Sequence, residues 1–268
     1  MLKTRILTAL VMLPLFLLAL FRLPEQGWSA FVMLICLIGS WEWSRFIGYA
    51  GFKGLAYVAV TALLGLPLVL FGMDTNGELA LAVLSLLFWL FAAPAWLRLK
   101  WKLAEMRSAP LLGWLVLFAS WHAMVAWHAK PNGAWLLLAL MAVCWVADTS
   151  AYFAGRKFGK RKLAPTISPG KSWEGVIGAY AGVTIYALLI IQSPIAGVFG
   201  GYAMLPAVWI LTALSIVGDL LESLFKRQAG IKDSSNLLPG HGGILDRIDS
   251  QLAILPVSAA LLTLSHYF

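Results

Sequence analysis

From Ile6 to Phe21 the chain reads ILTALVMLPLFLLALF, without a single charge, and runs of this kind recur along its length. They constrain the fold more than any other feature. A bilayer offers no water to backbone N–H and C=O groups, so each must be paired within its own segment. A helix that crosses therefore needs about 20 mostly apolar residues. Nine stretches have this character, near residues 5–22, 28–41, 55–72, 79–97, 110–127, 133–154, 174–192, 204–225 and 250–267. The second is short, and Trp41, Glu42 and Trp43 carry it into the interface. Charged residues make up 12% of the chain, against about 25% in a soluble domain. The expectation is an all-α integral membrane protein, a polytopic bundle of about nine transmembrane helices forming one membrane domain over residues 1–268.

The first stretch follows Lys3 and Arg5, as a secretory leader would, but its apolar run is too long and lacks a small-residue cleavage site. It reads as a retained anchor. Pro14, Pro67, Pro94 and Pro256 are expected to kink their helices. Lys and Arg concentrate in short cytoplasmic loops. With the N-terminus cytoplasmic and nine crossings, 18 of the 20 Lys and Arg residues fall on the cytoplasmic side and only Arg22 and Lys130 outside. The C-terminus then faces out, and the membrane is of the bacterial inner type. The net charge of +8 belongs to one face, which an anionic leaflet attracts by about 1 kcal/mol per basic residue. Membrane lipids are thus partners, whereas nucleic acid is not expected, because no soluble module is present to bind it. Cys36 and Cys144 lie inside expected spans without CxxC spacing and read as buried thiols.

Residues 1–132 carry few motifs, and residues 133–268 hold the motif-rich half, which is expected to carry a catalytic site on the cytoplasmic side. Asp219, Glu222, Ser223, Lys226 and Arg227 recur at i, i+3, i+4, i+7 and i+8, so one polar stripe lies along the end of the eighth helix. A loop with Pro239, Gly242 and Gly243 follows, and then Asp246 and Asp249, three residues apart. Clustered acids at membrane depth are costly unless paired or bound to a cation. Carboxylates from two helix ends suit Mg²⁺, which is usually held by one or two of them together with phosphate oxygens. Lys226, Arg227 and His241 then read as phosphate contacts. Upstream, Asp148 and Tyr152 share a face with Gly155, and Lys171 and Ser172 stand where a helix N-terminus could receive an anion. The run Gly170-Lys171-Ser172 is no P-loop, which needs glycine where Pro165 stands.

Two patterns emerge: D-x3-Y-x2-G-R-x-F-G-K with S-P-x-K-S-x-E-G, from Asp148 to Gly175, and S-x-x-K-R-x4-K-D-x-S-x2-L-P-x-H-G-G-x-x-D-R-x-D, from Ser223 to Asp249. Both resemble the phosphatidate cytidylyltransferase, or CDP-diacylglycerol synthase, family. The resemblance implies Mg²⁺-dependent transfer of CMP from CTP to phosphatidate, giving CDP-diacylglycerol and pyrophosphate. It implies Asp219 and Asp246 as metal ligands. Ser223, Lys226, Arg227, His241 and Asp249 would be catalytic, and Asp148, Tyr152, Lys171, Ser172, Glu174, Lys232 and Arg247 would contact substrate. Gly170 stands where relatives often carry a second lysine. A second cation and a homodimer are left open. A transporter would place its ionisable residues near the midplane on broken helices, whereas these gather at cytoplasmic ends. A CTP-dependent polyprenol kinase would need a similar site, and only the resemblance separates it.

Overall fold

The computed structural model describes residues 2–193 and 201–264 and is almost wholly helical. In chain order come α1 (Leu2–Arg22), α2 (Glu25–Phe46), α3 (Phe52–Phe71) and α4 (Thr75–Leu87), which continues through a π-helical turn (Phe88–Ala92) into α5 (Ala93–Leu99). Then follow α6 (Ala109–His128), α7 (Gly133–Phe158), α8 (Trp173–Ile191), α9 (Met204–Gln228), the single turn α10 (Leu245–Ile248) and α11 (Gln251–Leu264). Between α7 and α8 lies a short antiparallel hairpin of β1 (Lys162–Ala164) and β2 (Ser168–Ser172), with Lys162 opposite Ser172, in a chain that is all-α as expected. The side chains of Lys3 and Arg5, and residues 265–267 of the ninth expected stretch, lie outside what is described.

Each expected stretch falls on a helix. Among the described residues six helical segments are long and apolar enough to cross a membrane: Phe52–Phe71, Thr75–Leu99, Ala109–His128, Gly133–Phe158, Trp173–Ile191 and Met204–Gln228. Ile6–Arg22 and Gln251–Leu264 are shorter apolar helices, and α2 runs unbroken from Glu25 to Phe46 with Glu42 and Arg45 near its end. Pro14, Pro67 and Pro256 lie inside α1, α3 and α11. Pro94 stands in the first turn of α5, just past the π-helical turn. Proline has no N–H to return to the preceding turn, and a widened turn accommodates the missing bond.

The most extensive helix pairing is α7 with α8, and small residues explain it. A Cβ on Gly178 would overlap the Ala154 Cβ, and one on Gly182 would overlap the Ser150 hydroxyl. In a bilayer, helices associate through such close backbone approach, not through the hydrophobic effect. Toward the hairpin, a Cβ on Gly155 would stand 3.1 Å from Ser172 Oγ and 3.7 Å from Gly175 Cα. The Ser172 hydroxyl accepts the Gly175 N–H at 3.2 Å and so caps α8. This seam fixes β2 against the end of α7.

At the centre, α11 packs on α4, α6, α7 and α9, and every residue from Gln251 to Ala260 is buried. A Cβ on Gly218 would come within 2.6 Å of the Asp249 carbonyl oxygen and 3.0 Å of the Ala253 Cβ. A bare backbone at Gly218 thus lets α9 carry Asp219 up to Asp249. On the periphery α3 exposes Phe52, Leu55, Leu63 and Phe71, as a lipid-facing helix should.

Candidate active site

A cavity of about 500 Å³ opens among α7, β2, α8 and α9. Asp148 and Tyr152 reach its wall from α7, Lys171 and Ser172 from β2, and Asp219 from α9. These five residues are separated by up to 71 positions in sequence; four belong to the first motif, and Asp219 to the polar stripe of α9. The Lys171 ammonium contacts Asp219 Oδ2 directly. Ser223, one turn further along α9, donates to Asp219 Oδ1 at 3.3 Å. Arg156 at the rim donates to the Tyr152 hydroxyl at 3.1 Å.

Beside the cavity lies a second, more buried group. Lys226 Nζ sits 2.6 Å from Glu222 Oε2 and 2.6 Å from Asp246 Oδ1. Among the described residues Lys226 is the one cation in contact with the buried Glu222 carboxylate. Asp246 is saturated. Its Oδ1 accepts from Lys226, and its Oδ2 accepts from Ser234 N at 2.8 Å, Ser234 Oγ at 2.9 Å and Gly243 N at 2.8 Å. Burial pushes the Asp246 carboxyl up, but Lys226 and the backbone N–H groups of Gly243 and Ser234 outweigh it and hold the group below its ordinary value. Asp249 moves the other way. Burial and the nearby charges of Asp219 and Glu222 raise its carboxyl well above the ordinary value, with only the Ser250 N–H opposing.

Asp148, Asp219, Glu222, Asp246 and Asp249 thus gather around two ammonium groups, those of Lys171 and Lys226. A surplus of carboxylates suits a cation. Among the described residues no three His, Cys, Asp or Glu side chains are arranged as a ready metal site. Mg²⁺ is commonly held by one or two carboxylates, with phosphate oxygens and water in its remaining positions. The donors of Asp219 and Asp249 fit such an ion. Asp246 fits less well, because its two oxygens accept four hydrogen bonds, whereas Asp219 has only the Lys171 contact and the long bond from Ser223 described to it.

The remaining nominated residues are dispersed. Glu174 accepts the backbone N–H groups of Lys160 at 3.0 Å and Arg161 at 3.2 Å, so it shapes the turn before β1. Arg227 is exposed, with Nε 3.5 Å from the Ile167 carbonyl. Lys232 is exposed; Arg247 is exposed too, but its charge lies close enough to act on the Asp148 carboxylate of the cavity wall. His241 holds its loop through its backbone N–H, which donates to the Leu238 carbonyl at 2.8 Å, while its imidazole Nδ1 is buried without a partner. Motif reading passed over Glu42 as an interface residue. It is fully buried and takes four hydrogen bonds from residues 234–245. A lone acid between two tryptophans gives no sign of partners some 190 positions away. The only available signal was the cost of placing that acid in an apolar helix.

Over residues 3–265 the chain matches the model of the Cytidylyltransferase family. It is similar to the phosphatidate cytidylyltransferase of Pseudomonas aeruginosa, with 41% identity over 98% of this chain and 97% of the relative. The protein of the same name from Haemophilus influenzae is 36% identical over 96% of each chain. That from Staphylococcus saprophyticus is 30% identical over 97% of this chain and 98% of the relative.

Proposed function

Because the chain belongs to the cytidylyltransferase family, we propose that it transfers CMP from CTP to phosphatidate. An ionised phosphate oxygen of the lipid attacks the α-phosphorus of CTP. The bond from that phosphorus to the oxygen bridging to the β-phosphorus breaks, and pyrophosphate leaves with the electron pair. The obstacle is repulsion between two polyanions, so positioning and charge neutralisation carry the catalysis. No protein nucleophile is required.

The observation that carries this reading is the Lys171–Asp219 contact on the wall of a cavity of about 500 Å³. Lys171 leaves Asp219 to bind a nucleotide phosphate, and the Lys226 charge beside the cavity offsets the developing charge of the leaving group. Asp148 and Tyr152 orient the substrate from the opposite wall. Asp219 would hold Mg²⁺ with Asp249, and Asp246 would join only by releasing Lys226. Bound there, the ion would neutralise phosphate charge and polarise the reacting phosphorus. The α1, α2 and α11 helices complete nine crossings, with the N-terminus and the site on the cytoplasmic side of a bacterial inner membrane. The basic-residue asymmetry supports that direction.

CTP labelled at one phosphorus tests the reaction. The α-label should enter lipid when phosphatidate is the acceptor, and the γ-label should appear only in pyrophosphate. Omitting Mg²⁺ should stop both. Transfer of γ-label to a polyprenol would make the protein a kinase. Single cysteines at Asn236 and Asn76, in a background lacking Cys36 and Cys144, test the direction. They should react from opposite sides of the membrane, and reaction of both from outside would refute the nine-crossing arrangement.

A further inference from the structure

Glu42, at the end of α2, has no exposed surface at all. Its Oε1 accepts from Ser235 Oγ at 2.6 Å and Ile244 N at 2.9 Å, and its Oε2 accepts from Ser234 Oγ at 3.0 Å and Leu245 N at 2.7 Å. The loop is built around these oxygens. Gly243 can carry no side chain there, since a Cβ would overlap both the Glu42 carboxylate and Ser234 Oγ. Three consecutive backbone N–H groups are divided between two carboxylates: Gly243 donates to Asp246, and Ile244 and Leu245 donate to Glu42. Ser234 Oγ lies within hydrogen-bond reach of both, 3.0 Å from Glu42 and 2.9 Å from Asp246. A hydroxyl has one proton to donate, so the two carboxylates and Ser234 form one unit.

We infer that Glu42 is a positioning residue for the active site, acting through Ser234 and the amides of residues 243–245 to fix the Asp246 carboxylate and, through it, Lys226. The inference rests on the cytidylyltransferase reading above. A carboxylate is required because each oxygen faces one backbone N–H that cannot turn away. In Glu42→Gln the side-chain amide would set its NH₂ against Ile244 N or Leu245 N in either orientation. The isosteric change would therefore break one backbone bond and leave donor facing donor.

The test uses full-length Glu42→Gln, Ser234→Ala and the double variant in lipid nanodiscs. Misplacement of a reacting group by about 1 Å costs on the order of 100-fold in rate. The kcat of Glu42→Gln should fall about that far, with KM for CTP within about twofold of wild type, because Lys171 and the cavity wall are untouched. The double variant should be no slower than Glu42→Gln, the mark of residues acting as one unit. Hydrogen exchange should rise at residues 243–246 and stay unchanged along α7 and α8. Wild-type kcat, additive losses or unchanged exchange at 243–246 would each overturn the inference. If Glu42→Gln does not fold, Ser234→Ala decides by the same kcat and exchange readings. A wild-type protein inactive toward phosphatidate would sink the proposed reaction alone, and the exchange comparison would still judge Glu42.

Discussion

Asp219 and Asp246 belong to one charge cluster and each pairs with a lysine, yet they are held differently. The Lys171 and Asp219 side chains are 27% and 23% exposed, and the only other bond described to that carboxylate is a long one from Ser223. The Lys226 and Asp246 side chains are 12% and 4% exposed, and Asp246 accepts three further bonds from the loop. A carboxylate with few partners facing a cavity can exchange an ammonium for another cation at modest cost. One with four donors in a buried setting cannot do so without disturbing the loop. The first pair is suited to turnover and the second to holding shape.

Substitution at the two aspartates should separate these roles most sharply. Asp219→Asn is expected to lower turnover by about 1,000-fold or more, the upper range for losing a charge that stabilises the transition state. Its melting temperature should remain near that of wild type. Near-normal turnover would remove Asp219 from the chemistry. Asp246→Asn is expected to lose activity and also about 3 kcal/mol of stability, because Lys226 is left buried with a weaker partner. An unchanged denaturation midpoint would show that the loop does not depend on this residue.

A smaller effect is expected at Asp249, whose carboxyl is raised by burial and by Asp219 and Glu222. A raised acid binds its proton more tightly in the folded state than in the unfolded one. Its contribution to stability is full below the ordinary carboxyl value of about 3.9 and is lost as pH rises through the folded value. Asp249→Asn should flatten the decline of stability from acid toward neutral pH. An identical pH profile in the two proteins would refute the effect. The smallest change is expected at Glu105, which pairs at the surface with Lys102 at 2.7 Å. Glu105→Gln should leave turnover and melting temperature within experimental error, and a measurable loss of activity would extend the site beyond the cavity.

The helices were legible because hydropathy follows directly from the cost of unpaired backbone in lipid, and each expected stretch falls on a helix. The stripe Asp219, Glu222, Ser223, Lys226 was legible because helical spacing places its members on one face. The hairpin was not, since Pro165 and Pro169 flank and punctuate its strands and argue locally for a turn. Nor could the sequence distinguish Asp219 from Asp246, because the number of donors around a carboxylate depends on the folded loop. Glu42 was hidden for the same reason: its four partners all lie beyond residue 233.

The burial of α11 from Gln251 to Ala260 has a mechanical side. Over those ten residues the helix has no lipid-facing side through which bilayer thickness can tilt it, and only beyond them does Leu261 reach the surface. Thickness mismatch must then be absorbed at the rim, where α3 presents Phe52 and Phe71, each 85% exposed, at its two ends. The central helix, with Asp249 just before it and Gly218 of α9 against it, keeps its register. The spacing of Asp219 and Asp249 is thereby insulated from the composition of the surrounding membrane.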